Sequence, residues 1–308
     1  MKAIIYQRYG GPEVLELAEV EPPKVHVDSV LVRVRAAAVN PADLQMREGL
    51  ADAHVPTYFP VIPGWDIAGV VEKAGPGAPE FRPGDEVVGY VRTSVSHQHG
   101  GYAELISTDV HALAPKPAGL SWEQAAALPL TGLTAYQAVT RVLDVQPGES
   151  LLVYGAAGGV GSMAVQIAIS RGATALGADA GDRAELLRSL GATPVGDDDQ
   201  VTERVRTLVP DGVDAVFDTV GRGTLVRAAA AGHDATRYAS TVDIADPATR
   251  PVFARLVPED LHAVTELAAN GRLLPHVGVV LPLEEAADAH RLAATRHGRG
   301  RIVLSVGE

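Results

Sequence analysis

One stretch of eleven residues, Leu151 to Gly161, carries the strongest chemical signal in the chain. Leu151-Leu152-Val153-Tyr154 reads as a buried strand, and Gly155-Ala156-Ala157-Gly158-Gly159-Val160-Gly161 leads from it into an apolar helix. Gly155, Gly158 and Gly161 form G-x-x-G-x-x-G, the spacing that allows a tight turn, a close backbone approach to a pyrophosphate, and close packing of helix on strand. The N-terminus of the following helix then offers backbone N–H groups to the anion. Gly155, Ala156, Gly158, Gly159, Val160 and Gly161 are therefore the expected dinucleotide contacts. A generic strand-to-helix turn uses glycine in the same way, so the motif counts only in a βαβ setting. The next strand ends at Leu176-Gly177-Ala178-Asp179, which puts a carboxylate about twenty residues beyond the glycines, where an adenosine ribose lies. Asp179 can accept from both ribose hydroxyls of NAD and would repel the 2′-phosphate of NADP. The competing reading turns Asp179 outward and gives the phosphate contact to Arg183.

The elements around this motif supply the required setting. From Ser150 onward, strands (151–154, 174–178, 214–217) alternate with helices (160–171, 183–190), which predicts a parallel sheet covered by helices. Helices follow at 259–270 and 283–294, and a last strand at 301–306 is placed to rejoin the first domain. Before Pro117 the text differs. Short β-runs at 3–6, 29–38, 69–73, 86–91 and 101–107 are separated by Gly10-Gly11, Pro63-Gly64, Gly75-Pro76 and Pro83-Gly84, which suggests a barrel-like unit with few helices. Ser121 can cap a helix at 122–128, and 131–142 reads as another. The expected domains are 1–117 with 274–308, and 118–273.

Composition excludes several function classes. With 308 residues, 46% of them hydrophobic, the chain can bury the cores of two domains. A net charge of −12 opposes nucleic acid and anionic lipid as partners, because phosphate binding needs a positive field. No stretch has the length of a membrane span or the pattern of a signal peptide, so the expected location is cytoplasmic. The absence of cysteine removes disulfides, thiol nucleophiles, iron–sulfur clusters and thiolate zinc sites.

Beyond the glycine turn, four segments carry a likeness that spans nearly the whole chain: Gly10-Gly11-Pro12-Glu13-Val14-Leu15, Ala36-Ala37-Ala38-Val39-Asn40-Pro41-Ala42-Asp43, Pro83-Gly84-Asp85-Glu86-Val87, and Leu130-Thr131-Gly132-Leu133-Thr134-Ala135. With the terminal Gly300-Arg301-Ile302-Val303-Leu304, they resemble medium-chain dehydrogenase/reductases, specifically the zinc-independent quinone oxidoreductase branch. The resemblance implies an α/β protein with a GroES-like β-barrel catalytic domain and a Rossmann domain, a doubly wound parallel sheet. It also implies a cofactor cleft between the two, an NAD(P)H cofactor and a homodimer.

Zinc-dependent members carry a cysteine where this chain has Asn40 and Gly-His-Glu where it has Gly64-Trp65-Asp66, so no metal ligand is expected. His97-Gln98-His99 could put two imidazoles on one strand face, but a solvated loop is the expected reading. The NADPH-dependent majority of the branch carries a serine and a basic residue after the second strand. Here the run is Asp179-Ala180-Gly181-Asp182, and the branch's active-site tyrosine is replaced by Gln45-Met46. Asn40 is the expected polariser of a substrate carbonyl or of the nicotinamide amide, with a turn-capping role as the alternative. Asp43 and Asp66 are expected to hold it in place, or to serve as a helix cap and a strand-end carboxylate. Thr131 and Thr134 are expected beneath the nicotinamide, and Val220-Gly221 to meet it through backbone. Tyr58 and Tyr136 are the phenols considered as proton donors, with packing the expected role for both.

Without a metal, the expected chemistry is hydride transfer to an electron-poor carbon. A quinone or α,β-unsaturated carbonyl suits this better than a simple ketone, whose oxygen needs a Lewis acid or strong proton donor. Two alternatives stand beside it: an enoyl or enone reductase of a biosynthetic pathway, and a dinucleotide-binding sensor or structural relative without catalysis.

Overall fold

The computed structural model describes residues 1–52, 55–92, 99–179, 183–221, 224–243, 247–295 and 300–307. His97, Gln98, Ala180, Gly181 and Asp182 lie outside them, so the expectations for those residues find no counterpart here. In chain order the strands are β1 (Lys2–Ile5), β2 (Glu16–Glu19), β3 (Ser29–Ala38), β4 (Asp66–Ala74), β5 (Glu86–Tyr90), β6 (Leu105–Asp109), β7 (Leu113–Pro115), β8 (Ser150–Tyr154), β9 (Thr174–Ala178), β10 (Thr193–Pro194), β11 (Val213–Asp218), β12 (Gly232–Ser240), β13 (Arg250–Pro251), β14 (Val277–Pro282) and β15 (Arg301–Ser305). The helices are α1 (Pro41–Arg47), α2 (Trp122–Ala126), α3 (Pro129–Gln137), α4 (Gly159–Ser170), α5 (Ala184–Ser189), α6 (Val201–Leu208), α7 (Thr224–Ala231), α8 (Pro258–Ala269) and α9 (Ala286–Ala294).

The chain divides into two compact units. Unit 1 holds Met1–Leu130, Leu256–Ala269 and Pro275–Glu308; unit 2 holds Thr131–Arg255 and Asn270–Leu274. Compared with the expected boundaries, unit 1 also takes in α2 and α8. Ala125 and Ala126 of α2 are buried, and the helix packs on β3 and β4, while α8 packs on β7. Ser121 caps α2, its Oγ accepting the Gln124 N–H at 3.2 Å.

In unit 1 the sheet order is β14-β15-β3-β4-β5-β7, with β6 also paired to β3. β3 is the organiser: ten residues long, antiparallel to β4, β6 and β15. Its valines 30, 32 and 34 face the core with Ile67, Val71, Val87, Ile106 and Leu304, the period-2 burial of a strand with one wet face. The terminal strand β15 rejoins this first sheet, as its sequence position suggests. The helix α1 is absent from the sequence expectation, which has only a turn there. Pro41 at its first position and the Asp43 carboxylate on the Asn40 N–H let seven residues hold as a helix.

In unit 2 the sheet is parallel, in the order β10-β9-β8-β11-β12-β13. All five residues of β8 are buried, as a strand covered on both faces requires. The chain runs outward from β8 through β9 to β10, then returns to β11 on the other side. The strand order therefore reverses between β8 and β11, where α/β sheets bind ligands beyond the strand ends.

Candidate active site

The glycine turn sits at that reversal. Gly155 adopts φ +73°, in the left-handed region, and a Cβ there would run into Thr219 and Val220 of the loop after β11. A Cβ on Gly161 would strike the Gly155 carbonyl oxygen, so α4 reaches its closest approach to the turn only with glycine. Gly158 precedes the helix with no side-chain hydrogen bond capping it, and the first turn of α4 carries no acidic residue. The helix start thus keeps its positive character for an anion.

Asp179 follows β9. Its Oδ2 accepts the N–H of Ala157 at 2.9 Å, and its Oδ1 lies 3.6 Å from the Arg183 guanidinium. With its side chain 9% exposed, the carboxylate turns inward toward the glycine turn, and Arg183 comes with it. Gly155, Ala156, Gly158, Gly159, Val160, Gly161, Asp179, Arg183, Val220 and Gly221 are all gathered at the C-terminal ends of β8, β9 and β11. This set fits a nicotinamide dinucleotide: the turn leaves no room for a Cβ at Gly155 or Gly161, the Gly158 start of α4 has no side-chain cap, and a carboxylate follows β9 and faces the turn.

The loop after β11 is fastened by a residue that sequence reading overlooks. Buried Asp218 accepts the N–H groups of Val220 (2.9 Å) and Gly221 (3.0 Å) and the Ser240 hydroxyl (3.0 Å). The backbone N–H groups of Val220 and Gly221 are committed to Asp218. Thr131 and Thr134 are buried in α3.

In unit 1, Asn40, Asp43 and Asp66 form one buried cluster with Arg301. The Asn40 Nδ2 donates to Asp66 Oδ2 at 2.9 Å and weakly to the Ala38 carbonyl at 3.4 Å, while its Oδ1 accepts from Arg301 at 2.7 Å. Arg301 also lies 3.4 Å from Asp66 Oδ2, and Asp66 Oδ1 accepts the Leu130 N–H at 2.9 Å. Both amide hydrogens of Asn40 are thus engaged within the protein. Asn40 stands between the end of β3 and the start of α1, and its carboxamide links Asp66 to Arg301. Burial pushes the Asp66 carboxyl up to about 6, against the pull of Arg301 and Asn40. Burial likewise lowers the Arg301 guanidinium, opposed by Asp66 and Asp43.

Asp43 connects this cluster to a second chain of groups absent from the sequence expectation. Its Oδ2 accepts the Asn40 N–H at 2.8 Å and the Tyr102 hydroxyl at 3.3 Å. Tyr102 lies 3.3 Å from His290 Nε2, and Arg47 donates to His290 Nδ1 at 2.8 Å. Burial pushes Asp43 up to about 7 and His290 down to about 3, the latter also by the Arg47 charge. His290 lies in α9, 243 positions from Arg47, in a helix whose text shows only ordinary polar residues, so spacing offers no signal for it. Tyr58 is 57% exposed. Among the described residues, no group of three His, Cys, Asp or Glu is arranged to hold a metal, and no helix is long and apolar enough to cross a membrane.

Two family models match the chain: the alcohol dehydrogenase GroES-like domain over residues 26–118 and the zinc-binding dehydrogenase over residues 159–237. An NADPH-dependent alkenal/one oxidoreductase, chloroplastic, from Arabidopsis thaliana is 34% identical over 316 positions, covering 99% of this chain and 79% of that protein. The chain belongs to the medium-chain dehydrogenase/reductase superfamily. Within it the similarity points to the quinone oxidoreductase branch, since the human quinone oxidoreductase is 31% identical over 324 positions, covering 97% of this chain and 95% of its own. A solved structure described as an NAD-dependent alcohol dehydrogenase matches with a TM-score of 0.91 at 34% identity, covering 100% of both chains. This medium-chain dehydrogenase/reductase is an oxidoreductase with a nicotinamide cofactor.

Proposed function

We propose that this enzyme reduces quinones or α,β-unsaturated carbonyls with NAD(P)H, without a metal, and that Asp179 favours NADH. The observation that carries the reading is the glycine turn at the β8/β11 reversal, with the Asp179 carboxylate facing it. Gly155, Ala156, Gly158, Gly159, Val160 and Gly161 hold the pyrophosphate, Asp179 and Arg183 flank the ribose, and the Val220 and Gly221 carbonyls with Thr131 and Thr134 receive the nicotinamide end. When bound, the reduced nicotinamide supplies a hydride to an electron-poor carbon. The substrate class is supported by the relatives, named for quinone and alkenal or enone reduction.

Metal independence is supported by the residues themselves. No thiolate is available, and Asn40 and Asp66 spend their polar atoms on each other, Arg301 and backbone. Asn40, Asp66 and Arg301 are positioning residues that hold the end of β3 and the start of α1 in one arrangement. A cytoplasmic homodimer completes the proposal.

Steady-state assays with an alkenal, a benzoquinone and a simple saturated ketone test the substrate class. Oxidation of NAD(P)H by the first two and not by the ketone is expected, unchanged after treatment with a chelator. Turnover of the ketone alone, or loss of activity to the chelator, overturns the proposal.

A further inference from the structure

The C-terminal ends of β8, β11 and β12 lie in register, with Tyr154 paired to Asp218 and Asp218 to Ser240. Beyond these ends run the glycine turn, residues 219–221 and residues 241–243, and each segment touches the next. Thr219 donates its N–H (3.2 Å) and its hydroxyl (2.8 Å) to the Tyr154 carbonyl, just before the turn. A Cβ on Gly155 would strike Thr219 and Val220. Gly221 has φ +73°, and a Cβ there would meet Val242 at 3.3 Å and Asp243 at 3.4 Å. The Thr241 N–H reaches the Asp218 carbonyl at 3.1 Å. The three segments form one continuous rim along this edge of the parallel sheet.

Two fully buried side chains hold the outer two segments. The Ser240 Oγ accepts the N–H groups of Val242 (3.0 Å) and Asp243 (2.9 Å) and donates to Asp218 Oδ2 at 3.0 Å. A hydroxyl has two lone pairs and one hydrogen, so both lone pairs are taken and the hydrogen is fixed on Asp218. Asp218 in turn accepts the Val220 and Gly221 N–H groups on Oδ1, and Gly221 also lies 3.1 Å from Oδ2. Every group facing Asp218 in this arrangement is a donor. A carboxylate satisfies all of them, whereas a carboxamide of the same shape would turn its own N–H groups toward donors. Four backbone N–H groups from two loops thus converge on one pair of side chains with a single allowed polarity.

The rim also has a direction. Asp179, after β9, faces the glycine turn from one side of β8, and β11 and β12 lie on the other side. A dinucleotide with its adenosine ribose at Asp179 and its pyrophosphate at the turn carries its nicotinamide half out over β11 and β12. We propose that Asp218 and Ser240 act as one positioning pair for that half of the cofactor, by fixing residues 219–221 and 241–243 against each other. The proposal rests on the cofactor reading above. Neither side chain touches the ligand; the pair acts through the backbone it holds. The adenosine half depends instead on the glycine turn and Asp179, so disturbing the pair should separate the two halves of the binding energy.

The test uses two probes, NADH and ADP-ribose, which is the same molecule without its nicotinamide. Their affinities are measured by calorimetric titration of wild type, Asp218→Asn, Ser240→Ala and the double variant, with melting temperature followed in parallel. NADPH and 2′-phospho-ADP-ribose replace them if the wild type prefers the phosphate. Asp218→Asn should weaken NADH by about tenfold or more and leave ADP-ribose within about twofold. Ser240→Ala should act in the same direction, and it carries the test if Asp218→Asn fails to fold. Because the two residues work as a unit, the double variant should lose no more NADH affinity than the weaker-binding single variant. Equal weakening of both probes, or of neither, overturns the proposal and leaves the pair as a link that only stabilises the fold. Strictly additive losses in the double variant also overturn it. Wild-type protein that binds neither probe would instead overturn the cofactor reading.

Discussion

A buried carboxylate persists only where something answers its charge, and for Asp66 the answer is Arg301 with Asn40. Truncating Arg301→Ala leaves Asp66 without its cation and Asn40 Oδ1 without its donor. Destabilisation of about 3–5 kcal/mol is expected, read by denaturant unfolding. Titration gives a second check. Asp43 is raised to about 7 when folded, so its contribution to stability is complete below its unfolded value near 3.8 and is lost as pH rises through about 7. His290, lowered to about 3, acts in the opposite sense: its contribution is present above its unfolded 6.5 and is lost as pH falls. The stability of Asp43→Asn relative to wild type should therefore improve between pH 5 and pH 8, by at most about 3 kcal/mol, in paired melts. At this scale the sequence was only partly legible. Asn40, Asp43 and Asp66 stood out through the resemblance, but their partners Tyr102, Arg301 and His290 come from distant positions that no local spacing connects.

The turn between β8 and α4 is where sequence and structure agree most closely, because each glycine answers a local steric demand. Gly161→Ala should be costly, since its Cβ would meet only backbone, the Gly155 carbonyl and the Ala156 Cα, among its nearest atoms. A loss of about 1–3 kcal/mol is expected, together with at least a tenfold weaker NAD(P)H affinity, measured by thermal melt and by fluorescence titration. After β9, Asp179→Asn keeps an acceptor for the Ala157 N–H and removes the charge, so preference should shift toward NADPH by about tenfold. An unchanged preference would assign the choice of cofactor to other residues. Strands with continuous or alternating apolar runs, such as β3, β8 and β9, were readable for the same local reason. Helix α1 was not, because seven residues with a proline, one carboxylate and one carboxamide read equally well as a turn until Asp43 is seen on the Asn40 N–H. The break at Leu283–Glu285 before α9 was likewise invisible in a helical-looking stretch.

At the scale of the whole chain, the change from closely spaced β-runs to strand–helix alternation announced two units, and the apolar run after Gly300 announced the return of β15 to the first sheet. The exact divisions depend on where α2 and α8 bury their apolar faces, which only packing reveals. A dimer mass in light scattering at micromolar concentration is expected for the assembly, and a monomer mass would remove that part of the proposal. The central claim is that this fold binds a reduced nicotinamide dinucleotide and spends it on a conjugated acceptor. It is tested most directly by titrating the purified protein with NADH and NADPH in parallel, then adding an alkenal to each mixture and following the absorbance of the reduced cofactor. The account expects saturable binding, tighter for NADH, and loss of the absorbance only after the alkenal is added. No binding of either cofactor, or binding with no oxidation by an alkenal or a quinone, would contradict it.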